Sequence, residues 1–404
     1  MSDIVILGAG LAGLTVAESL RAEGHDGAIT LVGDELHGPY HRPPLSKGYL
    51  LGATLEAQLN MRAAEAYAKK GIVLKTGISA TAIDRAGKRV AMSDGSTLAY
   101  DGLALCTGSR LRPLPLPGAD WQGVHGLRSL DDSRAIAAEL KTADNVVVIG
   151  GGFIGLEVAA AAKKQGKRVT VLEAADRLMA RVVAPLISQF YFDLHAGHGV
   201  DVVLGAMVSE LVGRDGHITA VRTKDGREFP ADLLIVGIGI IPNAELAQAA
   251  GIETNGGIVV DACSRTDDPA IVAAGDCTAR RLDDGTLRRL ESVQNATEQG
   301  KSAAAALLGK ARPFTATPWF WSDQYDVKLQ MVGLTAGFDQ VVTRGDPTTR
   351  KFSALYYRDG KLIAIDSLNQ PAEHMTGRKL LDTGISPTQQ QAADTATNLN
   401  SLVA

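Results

Sequence analysis

Two glycine clusters in this sequence have the spacing of a phosphate-binding turn. The first, GAGLAG, spans residues 8–13, and the second, GGGFIG, spans residues 150–155. In such a turn the first glycine permits the bend, the second lets the backbone approach a pyrophosphate, and the third lets a helix pack closely on a strand. The glycines in these roles are Gly8, Gly10 and Gly13 in the first turn, and Gly150, Gly152 and Gly155 in the second.

An acidic residue follows each turn at the distance expected for a ribose contact. Asp34 stands 21 residues after Gly13, and Glu173 stands 18 residues after Gly155. An acid about 20 residues after the turn hydrogen-bonds to a ribose hydroxyl. Because NADPH-binding proteins tend to carry Arg where Glu173 stands, and a carboxylate repels a 2′-phosphate, we predict NADH at the second site. Two sites in one chain predict a resident flavin and an exchanging nicotinamide.

Apolar runs and helical spacing supply the elements that must position these turns. Residues 4–7 and 146–149 read as strands buried on both faces, and each is followed by a glycine turn, a helix and another strand. This repeated β-α-β pattern predicts two parallel-sheet modules. Residues 291–308 predict an alanine-rich helix, and 351–357 and 361–367 predict strands in an aromatic-rich C-terminal part. The predicted fold class is α/β, with two Rossmann-like dinucleotide-binding domains and a small α+β C-terminal domain.

Composition excludes several other classes of protein. The chain has 404 residues and a net charge of −4, which gives no electrostatic case for nucleic-acid binding. Three cysteines, Cys106, Cys263 and Cys277, form no disulfide or zinc pattern. No apolar run approaches the ~18 residues of a membrane span, and we see no signal peptide. We therefore expect a cytoplasmic protein without a membrane partner or a bound metal.

Across essentially its whole length the chain resembles the FAD-dependent pyridine-nucleotide oxidoreductases with two dinucleotide domains. Within them it is most similar to the NADH-dependent ferredoxin reductases of bacterial oxygenase systems, the putidaredoxin reductase group. The glycine turns specify only the superfamily, whereas RPPLSK at 42–47 and PWFWSDQ at 318–324 narrow the resemblance to this group. Further matching motifs are Thr107-Gly108, Gly275-Asp276-Cys277 and Glu291-Ser292-Val293.

The resemblance implies a domain organisation and a set of cofactor contacts. It implies an FAD-binding domain built from 1–110 and 235–315, an inserted NAD-binding domain at 111–234, and a C-terminal domain at 316–404. It implies that FAD is bound non-covalently and contacts Ala12, Asp34, Lys47, Ala80, Arg128, Asp276 and Val293. It implies further FAD-binding residues within the matching motifs, which are Arg42, Thr107, Gly108 and Gly275. It implies that NADH contacts Ile154, Glu157 and Glu173, and that Gly237, Ile238 and Gly239 line its site.

Several of these residues have specific expected roles. Asp34 would hold the FAD ribose, Asp276 would bind the ribityl hydroxyls, and Lys47 would place positive charge beside the isoalloxazine and favour its anionic reduced form. Alternatively, Lys47 is an exposed lysine without such a role, and Asp276 is a helix N-cap. Arg128 is alternatively a solvated charge before a helix. Phe153 either covers the flavin until nicotinamide displaces it or is a helix-packing aromatic, and Trp321 lies near the flavin edge at an electron-exit face.

The resemblance implies an NADH:ferredoxin reductase that passes electrons singly to a 2Fe–2S ferredoxin serving a cytochrome mono-oxygenase or a Rieske dioxygenase. Disulfide reductases of the superfamily carry two cysteines near residues 40–50, and peroxidase relatives carry one, whereas this chain has none there. The alternatives are a rubredoxin reductase, an NADH oxidase, a redox-sensing protein of the apoptosis-inducing-factor type, and a flavin mono-oxygenase.

Two weaker features concern partners and metals. Lys301, Lys310 and Arg312 either steer an acidic ferredoxin or form a solvated face. His195 and His198 lack a third metal ligand, so we expect surface histidines rather than a metal site. We expect a monomer or a weak homodimer.

Overall fold

The computed structural model describes residues 2–403 and divides them into two units. The first unit contains residues 2–41, 56–110 and 240–316, and the second contains residues 42–55, 111–239 and 317–403. Within residues 2–403, no helix is both long enough and apolar enough to cross a membrane.

The helices fall between the strands along most of the chain. The α-helices are α1 (Leu11–Ala22), α2 (Ala64–Lys69), α3 (Leu130–Glu139), α4 (Phe153–Lys164), α5 (Pro185–Gly197), α6 (Glu245–Ala249), α7 (Val293–Leu307), α8 (Pro371–Thr383) and α9 (Gln389–Ala393). Short 3₁₀ helices span Pro43–Ser46, Glu56–Gln58, Pro347–Thr349 and Leu399–Val403.

The strands are mostly three to eight residues long. They are β1 (Ile4–Leu7), β2 (Ile29–Val32), β3 (Ile72–Lys75), β4 (Ala80–Asp84), β5 (Arg89–Met92), β6 (Thr97–Ala99), β7 (Gly102–Leu105), β8 (Ser109–Leu111), β9 (Val124–His125), β10 (Asn145–Ile149), β11 (Arg168–Glu173), β12 (Asp201–Leu204), β13 (Val208–Arg214), β14 (His217–Thr223), β15 (Glu228–Pro230), β16 (Leu233–Val236), β17 (Ile240–Pro242), β18 (Ile258–Val260), β19 (Ile271–Ala273), β20 (Thr278–Arg281), β21 (Leu287–Arg288), β22 (Trp319–Gln324), β23 (Val327–Gly333), β24 (Gln340–Asp346), β25 (Lys351–Arg358) and β26 (Lys361–Leu368).

A five-stranded parallel sheet forms the centre of the first unit, in the order β19-β7-β1-β2-β3. Alternate residues of β1 point to opposite faces, so Ile4 and Ile6 join one apolar cluster while Val5 and Leu7 join another. Burial on both faces explains why this strand is a continuous aliphatic run. Smaller sheets of this unit include the antiparallel sheet β4-β5-β6 and the mixed sheet β18-β20-β21.

The second unit repeats this arrangement in a parallel sheet with the order β12-β11-β10-β16-β9. Its central strand, β10, is followed by a glycine turn and α4, as β1 is followed by a glycine turn and α1. Four consecutive alanines of α4, residues 159–162, are buried, and their small side chains let the helix pack closely. The two predicted parallel-sheet modules are therefore confirmed.

The C-terminal part of the second unit has a different architecture. Its sheet is antiparallel, in the order β22-β23-β26-β25-β24, and α8 packs on β23 and β26. Gly377 permits this contact, because a Cβ atom there would lie 2.8 Å from Cδ1 of Ile365. The predicted fold class, α/β with a C-terminal α+β domain, is confirmed, whereas the domain boundaries stay a prediction.

Candidate active site

The first glycine turn joins β1 to α1 and leaves space only at its middle glycine. Gly8 has a φ of +109°, and a Cβ atom there would lie 2.0 Å from the carbonyl oxygen of Cys106. A Cβ atom on Gly13 would lie 2.0 Å from the carbonyl oxygen of Gly8. At Gly10, the N-cap of α1, no atom beyond its chain neighbours lies within 4 Å of the Cβ position in the described structure. The close contacts fix the turn, and the open position leaves room beside the first N–H groups of the helix.

The second glycine turn, between β10 and α4, has the same geometry. Gly150 has a φ of +102°, and its Cβ position lies 2.4 Å from the carbonyl oxygen of Gly237. The Cβ position of Gly155 lies 2.3 Å from the carbonyl oxygen of Gly150. Gly152 is the N-cap of α4, and nothing but its chain neighbours lies within 4 Å of its Cβ position among the described residues. Both turns fit a pyrophosphate, which would approach the open glycine and the positive end of the helix dipole.

Other predicted flavin residues of the first unit lie beside the first turn. The Cβ position of Gly275 is 3.0 Å from Cβ of Ala12, which brings the end of β19 against the start of α1. Asp276 follows Gly275, and its Oδ2 accepts a hydrogen bond from Ser109 Oγ over 3.2 Å. Because Asp276 precedes β20 rather than a helix, the N-cap alternative for this residue is wrong.

The remaining predicted residues of the first unit lie at the ends of strands and at the start of α7. Asp34 is exposed and lies just after β2, whose pairing with β1 is parallel, so it stands at the same sheet edge as the first turn. Thr107 Oγ1 donates to the carbonyl oxygen of Asn243 over 2.6 Å, and the carbonyl of Gly108 accepts from Asn243 N over 2.9 Å. Val293 begins α7, which packs against α1. Ala80 begins β4 and packs on the apolar cluster that contains Val5 and Leu7.

Glu173, the predicted ribose acid, binds the backbone of the second turn. It is the last residue of β11, and its two carboxylate oxygens accept hydrogen bonds from Gly151 N over 2.6 Å and from Ala175 N over 2.7 Å. These bonds fix an acidic group beside Gly152. At the start of α4, Ile154 has 44% of its surface exposed, as expected of an apolar side chain available to a ligand.

The three residues predicted to line the nicotinamide site follow β16. Gly237 N donates to the carbonyl oxygen of Ile149 over 2.7 Å, and the carbonyl of Gly237 limits the space at Gly150. Ile238 packs against the apolar cluster of the second sheet. Gly239 has a φ of +104°, a conformation that favours glycine. These residues place the 237–239 segment next to the second turn.

Lys47 and Glu157 form a partly buried ion pair that the sequence did not predict. Lys47 Nζ lies 2.6 Å from Glu157 Oε2, and the lysine side chain is 19% exposed while the glutamate side chain is 1% exposed. Glu157 also accepts hydrogen bonds from Ser46 Oγ over 2.5 Å and from Ser322 Oγ over 2.6 Å. The alternative of an exposed Lys47 is therefore wrong. Three donors satisfy a carboxylate that would be costly to bury alone.

Aromatic side chains lie at the start of α4 and along β22. The ring centroids of Phe153 and Phe320 are 5.0 Å apart, and Trp321 lies 5.7 Å from Trp319 and 6.3 Å from Phe320. All four residues are only partly buried. Phe153 therefore packs against another aromatic residue and retains an accessible surface.

Arg42 and Arg128 also meet in the second unit. Arg42 Nη1 donates to the backbone carbonyl of Arg128 over 2.7 Å. Arg128 precedes Ser129, which caps α3 with a capping box to Asp132. This contact fixes the backbone in front of α3.

Comparisons with known proteins agree with this geometry. A family model described as pyridine nucleotide-disulphide oxidoreductase matches residues 2–300, and one described as reductase C-terminal matches residues 319–403. Rhodocoxin reductase of Rhodococcus erythropolis is 44% identical over 403 residues, which cover 100% of this chain and 94% of that protein.

The chain belongs to the pyridine nucleotide-disulphide oxidoreductase family. A crystal structure of a ferredoxin reductase from Rhodopseudomonas palustris matches this member with a TM-score of 0.97 and 45% identity, covering 100% of both chains. The covalent putidaredoxin reductase–putidaredoxin complex matches with a TM-score of 0.97 and 42% identity, covering 100% of this chain and 98% of that one. This oxidoreductase uses FAD and NAD(H) as cofactors.

The cysteines of this family member are free thiols. Cys106 and Cys277 are buried, and burial raises the pKa of both thiols, which disfavours the reactive thiolate. Within residues 2–403, no group of three or more potential ligands is placed to hold a metal ion.

The expectation of two surface histidines was wrong for His195. Its relative exposure is 0%, and its Nε2 atom lies 2.8 Å from Gln324 Oε1. His198 is partly buried and stacks on Tyr325, with ring centroids 3.7 Å apart. His195 lies on the buried side of α5 with Ile187, Tyr191 and Leu194, whereas His198 is the C-cap that follows the helix.

The basic residues proposed to steer a partner are partly neutralised. Lys301 pairs with Glu298 over 2.7 Å, and Lys310 pairs with Glu23 over 2.9 Å. Arg312 is exposed.

Sequence reasoning missed Ser46, Ser322 and Gln324 as parts of the site. All three lie within the quoted motifs at 42–47 and 318–324, and all three are buried. The signal available in the sequence was the presence of these polar residues within the two motifs, whose other residues were assigned to charge and aromatic contacts. Ser46 and Ser322 contact Glu157, which is 111 and 165 residues away in the chain, and Gln324 contacts His195, which is 129 residues away, so local spacing gave no indication of these contacts.

Proposed function

We propose that this protein is an NADH-dependent ferredoxin reductase, which takes electrons from NADH and delivers them singly to a 2Fe–2S ferredoxin that serves an oxygenase. The observation that carries the proposal is the pair of glycine turns with the same geometry, each open at its middle glycine and each at the start of a helix. The match to a ferredoxin reductase from Rhodopseudomonas palustris supports a ferredoxin as the acceptor.

Bound FAD supplies the redox chemistry, because a flavin takes two electrons as a hydride and can release them one at a time. The residues of this chain bind and orient. We propose that Asp34 and Asp276 bind the FAD sugar hydroxyls, and that the open face at Gly10 admits its pyrophosphate.

On the nicotinamide side, we propose that Gly152 and the start of α4 bind the NADH pyrophosphate and that Glu173 binds the adenosine ribose. Ile154 and Glu157 would contact the nicotinamide end. The Lys47 ammonium group, held by Glu157, would place a positive charge at the flavin. Phe153 would cover the flavin and turn aside for nicotinamide, a movement that its partly exposed ring permits.

We propose that electrons leave through the aromatic residues of β22, including Trp321, without a cysteine relay. Burial and a raised pKa make Cys106 and Cys277 poor redox groups. We further propose a cytoplasmic location, which suits three free cysteines, and a monomer or weak homodimer.

The test is anaerobic stopped-flow mixing of the purified holoenzyme with NADH, followed by mixing with one acceptor at a time. The acceptors are a 2Fe–2S ferredoxin, rubredoxin, and air-saturated buffer, with ferricyanide as the control for electron release to any small acceptor. We expect fast bleaching of the yellow absorbance and fast reduction of ferredoxin.

Other outcomes would replace the proposal. Fast transfer to rubredoxin but not to ferredoxin would identify a rubredoxin reductase. Reoxidation by air alone would identify an oxidase, and a long-lived charge-transfer absorbance with slow electron release would favour a redox sensor.

A further inference from the structure

A line of hydrogen bonds extends from Glu157 through the C-terminal sheet to α5. Ser322 Oγ donates to Glu157 Oε1 over 2.6 Å, and Gln324 Nε2 donates to Ser322 Oγ over 3.2 Å. His195 Nε2 lies 2.8 Å from Gln324 Oε1, and the Tyr325 hydroxyl lies 3.4 Å from His195 Nδ1. Ser322, Gln324 and His195 are each at most 1% exposed.

The chemistry of the groups fixes the direction of these bonds. An amide oxygen only accepts, so His195 Nε2 carries the proton and donates to Gln324. His195 Nδ1 is then an acceptor for the Tyr325 hydroxyl. Burial lowers the pKa of His195 to about 4, so the imidazole is neutral at neutral pH, as this pattern requires. Every donor along the line therefore points towards Glu157.

This arrangement is suited to holding the negative charge of Glu157 in place rather than to transferring a proton. The Gln324 amide interrupts proton transfer, because it would have to tautomerise to pass a proton on. A directed line of dipoles instead stabilises negative charge at its end, and hydrogen bonds in series strengthen one another. Groups that orient a functional side chain in this way are common behind reactive sites.

We propose that Ser322, Gln324 and His195 form a positioning chain that holds the Glu157 carboxylate in place and, through it, the Lys47 ammonium group. The chain joins two segments that the proposed function leaves unassigned, which are the second half of the PWFWSDQ motif and His195 of α5. Its consequence for NADH rests on the proposed contact between Glu157 and nicotinamide.

The removal of either of two links tests the chain. Ser322→Ala deletes the donor that touches Glu157, and Gln324→Met deletes the next link at similar volume. Ser353→Ala is the matched control, because Ser353 is a buried serine of the same sheet whose hydroxyl donates to Ser367 over 3.1 Å. All variants are purified as oxidised holoenzyme, and their thermal midpoints are compared with that of the control.

The first measurement is infrared difference spectroscopy of the Glu157 carboxylate band, identified by its loss in Glu157→Gln. We expect Ser322→Ala and Gln324→Met each to shift this band, Ser353→Ala to leave it in place, and neither shift to occur in the Glu157→Gln background. An unshifted band in Gln324→Met would overturn the proposal, and this variant decides alone if Ser322→Ala does not fold.

The second measurement is the dissociation constant of NAD⁺ for the same holoenzymes. We expect a rise of roughly fivefold in Ser322→Ala and in Gln324→Met, as for the loss of one hydrogen bond, and no further rise when either is combined with Glu157→Gln. Additive effects in the double variants would overturn the positioning role. If Ser322→Ala and Gln324→Met shift the carboxylate band but Glu157→Gln leaves the dissociation constant of NAD⁺ unchanged, the chain is supported and Glu157 does not contact NADH.

Discussion

Arg177 donates a hydrogen bond from its Nη1 atom to the backbone carbonyl of Val183 over 2.8 Å. Its Nη2 atom donates to the carbonyl of Ala180 over 2.6 Å, and Nη1 also donates to Ser188 Oγ over 2.8 Å. The guanidinium group four positions after Glu173 is thus engaged within its own loop and the start of α5. It is poorly placed to receive the 2′-phosphate of NADPH.

We therefore predict a strong preference for NADH that depends on Glu173. Hydrogen bonds to charged groups contribute about 1.5–3 kcal/mol, and Glu173→Ala should lower kcat/KM for NADH roughly 10- to 100-fold. The value for NADPH should fall less, because the variant also removes repulsion of the 2′-phosphate. The measurement is steady-state kinetics with both nucleotides and ferricyanide.

Arg177→Met is the companion variant for the same prediction. It should destabilise the loop while leaving the ratio of the NADH and NADPH efficiencies near that of the wild type. Comparable efficiencies of the wild-type protein with both nucleotides would contradict the prediction.

The two open glycines should separate nucleotide binding from folding. Gly152→Ala and Gly10→Ala add a methyl group where no neighbouring atom lies within 4 Å, so both variants should fold. The methyl group should obstruct a phosphate, and the loss of a charge-assisted hydrogen bond should raise KM for NADH roughly 10-fold in Gly152→Ala. Gly10→Ala should instead retain less FAD after gel filtration.

The third glycine of each turn provides the control. In Gly155→Ala the new Cβ atom would meet the carbonyl oxygen of Gly150 at 2.3 Å. Such overpacking costs about 1–3 kcal/mol or more, so this variant should melt at a lower temperature. If Gly152→Ala and Gly155→Ala lower the melting temperature equally, the open geometry at Gly152 does not explain the kinetic effect.

Local sequence pattern was sufficient for the parallel sheets and their turns. The runs at β1 and at residues 146–149 of β10 are fully apolar because both faces of each strand are buried. The first and third glycines of both turns meet backbone atoms at distances that exclude a side chain. Helix α5 was not predicted, although Pro185 at its first turn was an available start signal. Its fully buried Tyr191 and His195 lie among apolar residues and obscure a simple amphipathic pattern.

The environment of Glu157 lay beyond any local pattern. It depends on a serine from the 3₁₀ helix Pro43–Ser46 and another from β22, and only the folded chain brings these segments to α4. The resemblance to a family identified Lys47 and Glu157 as separate flavin and nicotinamide contacts. The structure shows that they are direct partners, so substitution of either residue changes the environment of the other.

Charge reversal at the basic residues near the end of α7 tests electrostatic steering. Lys301→Glu with Arg312→Glu should raise KM for ferredoxin about fivefold at low salt, since exposed charge pairs contribute up to about 1 kcal/mol. The effect should fade at high salt, where screening is strong, and turnover with ferricyanide should not change. Arg214→Glu, an exposed arginine on β13, is the control. An unchanged KM for ferredoxin at low salt would remove this patch from the docking surface.

Asp366 should make the stability of the protein depend on pH. Asp366 is 1% exposed, and its Oδ2 accepts a hydrogen bond from the Tyr356 hydroxyl over 2.5 Å. Burial raises the pKa of Asp366 to about 7, whereas an unfolded aspartate titrates near 3.9. Between about pH 4 and pH 7 the folded state binds the extra proton, so the free energy of unfolding falls as pH rises through this window.

Asp366→Asn should remove this dependence, because asparagine is neutral at every pH in the window. Its melting temperature relative to the wild type should rise between pH 5 and pH 8, by the equivalent of about 3 kcal/mol. Tyr356→Phe is the second variant: the phenol hydrogen bond lowers the pKa of Asp366, so its loss should move the window to higher pH. The measurement is thermal unfolding followed by circular dichroism across this range. A constant difference between Asp366→Asn and the wild type would show that Asp366 has the same charge in the folded and unfolded states.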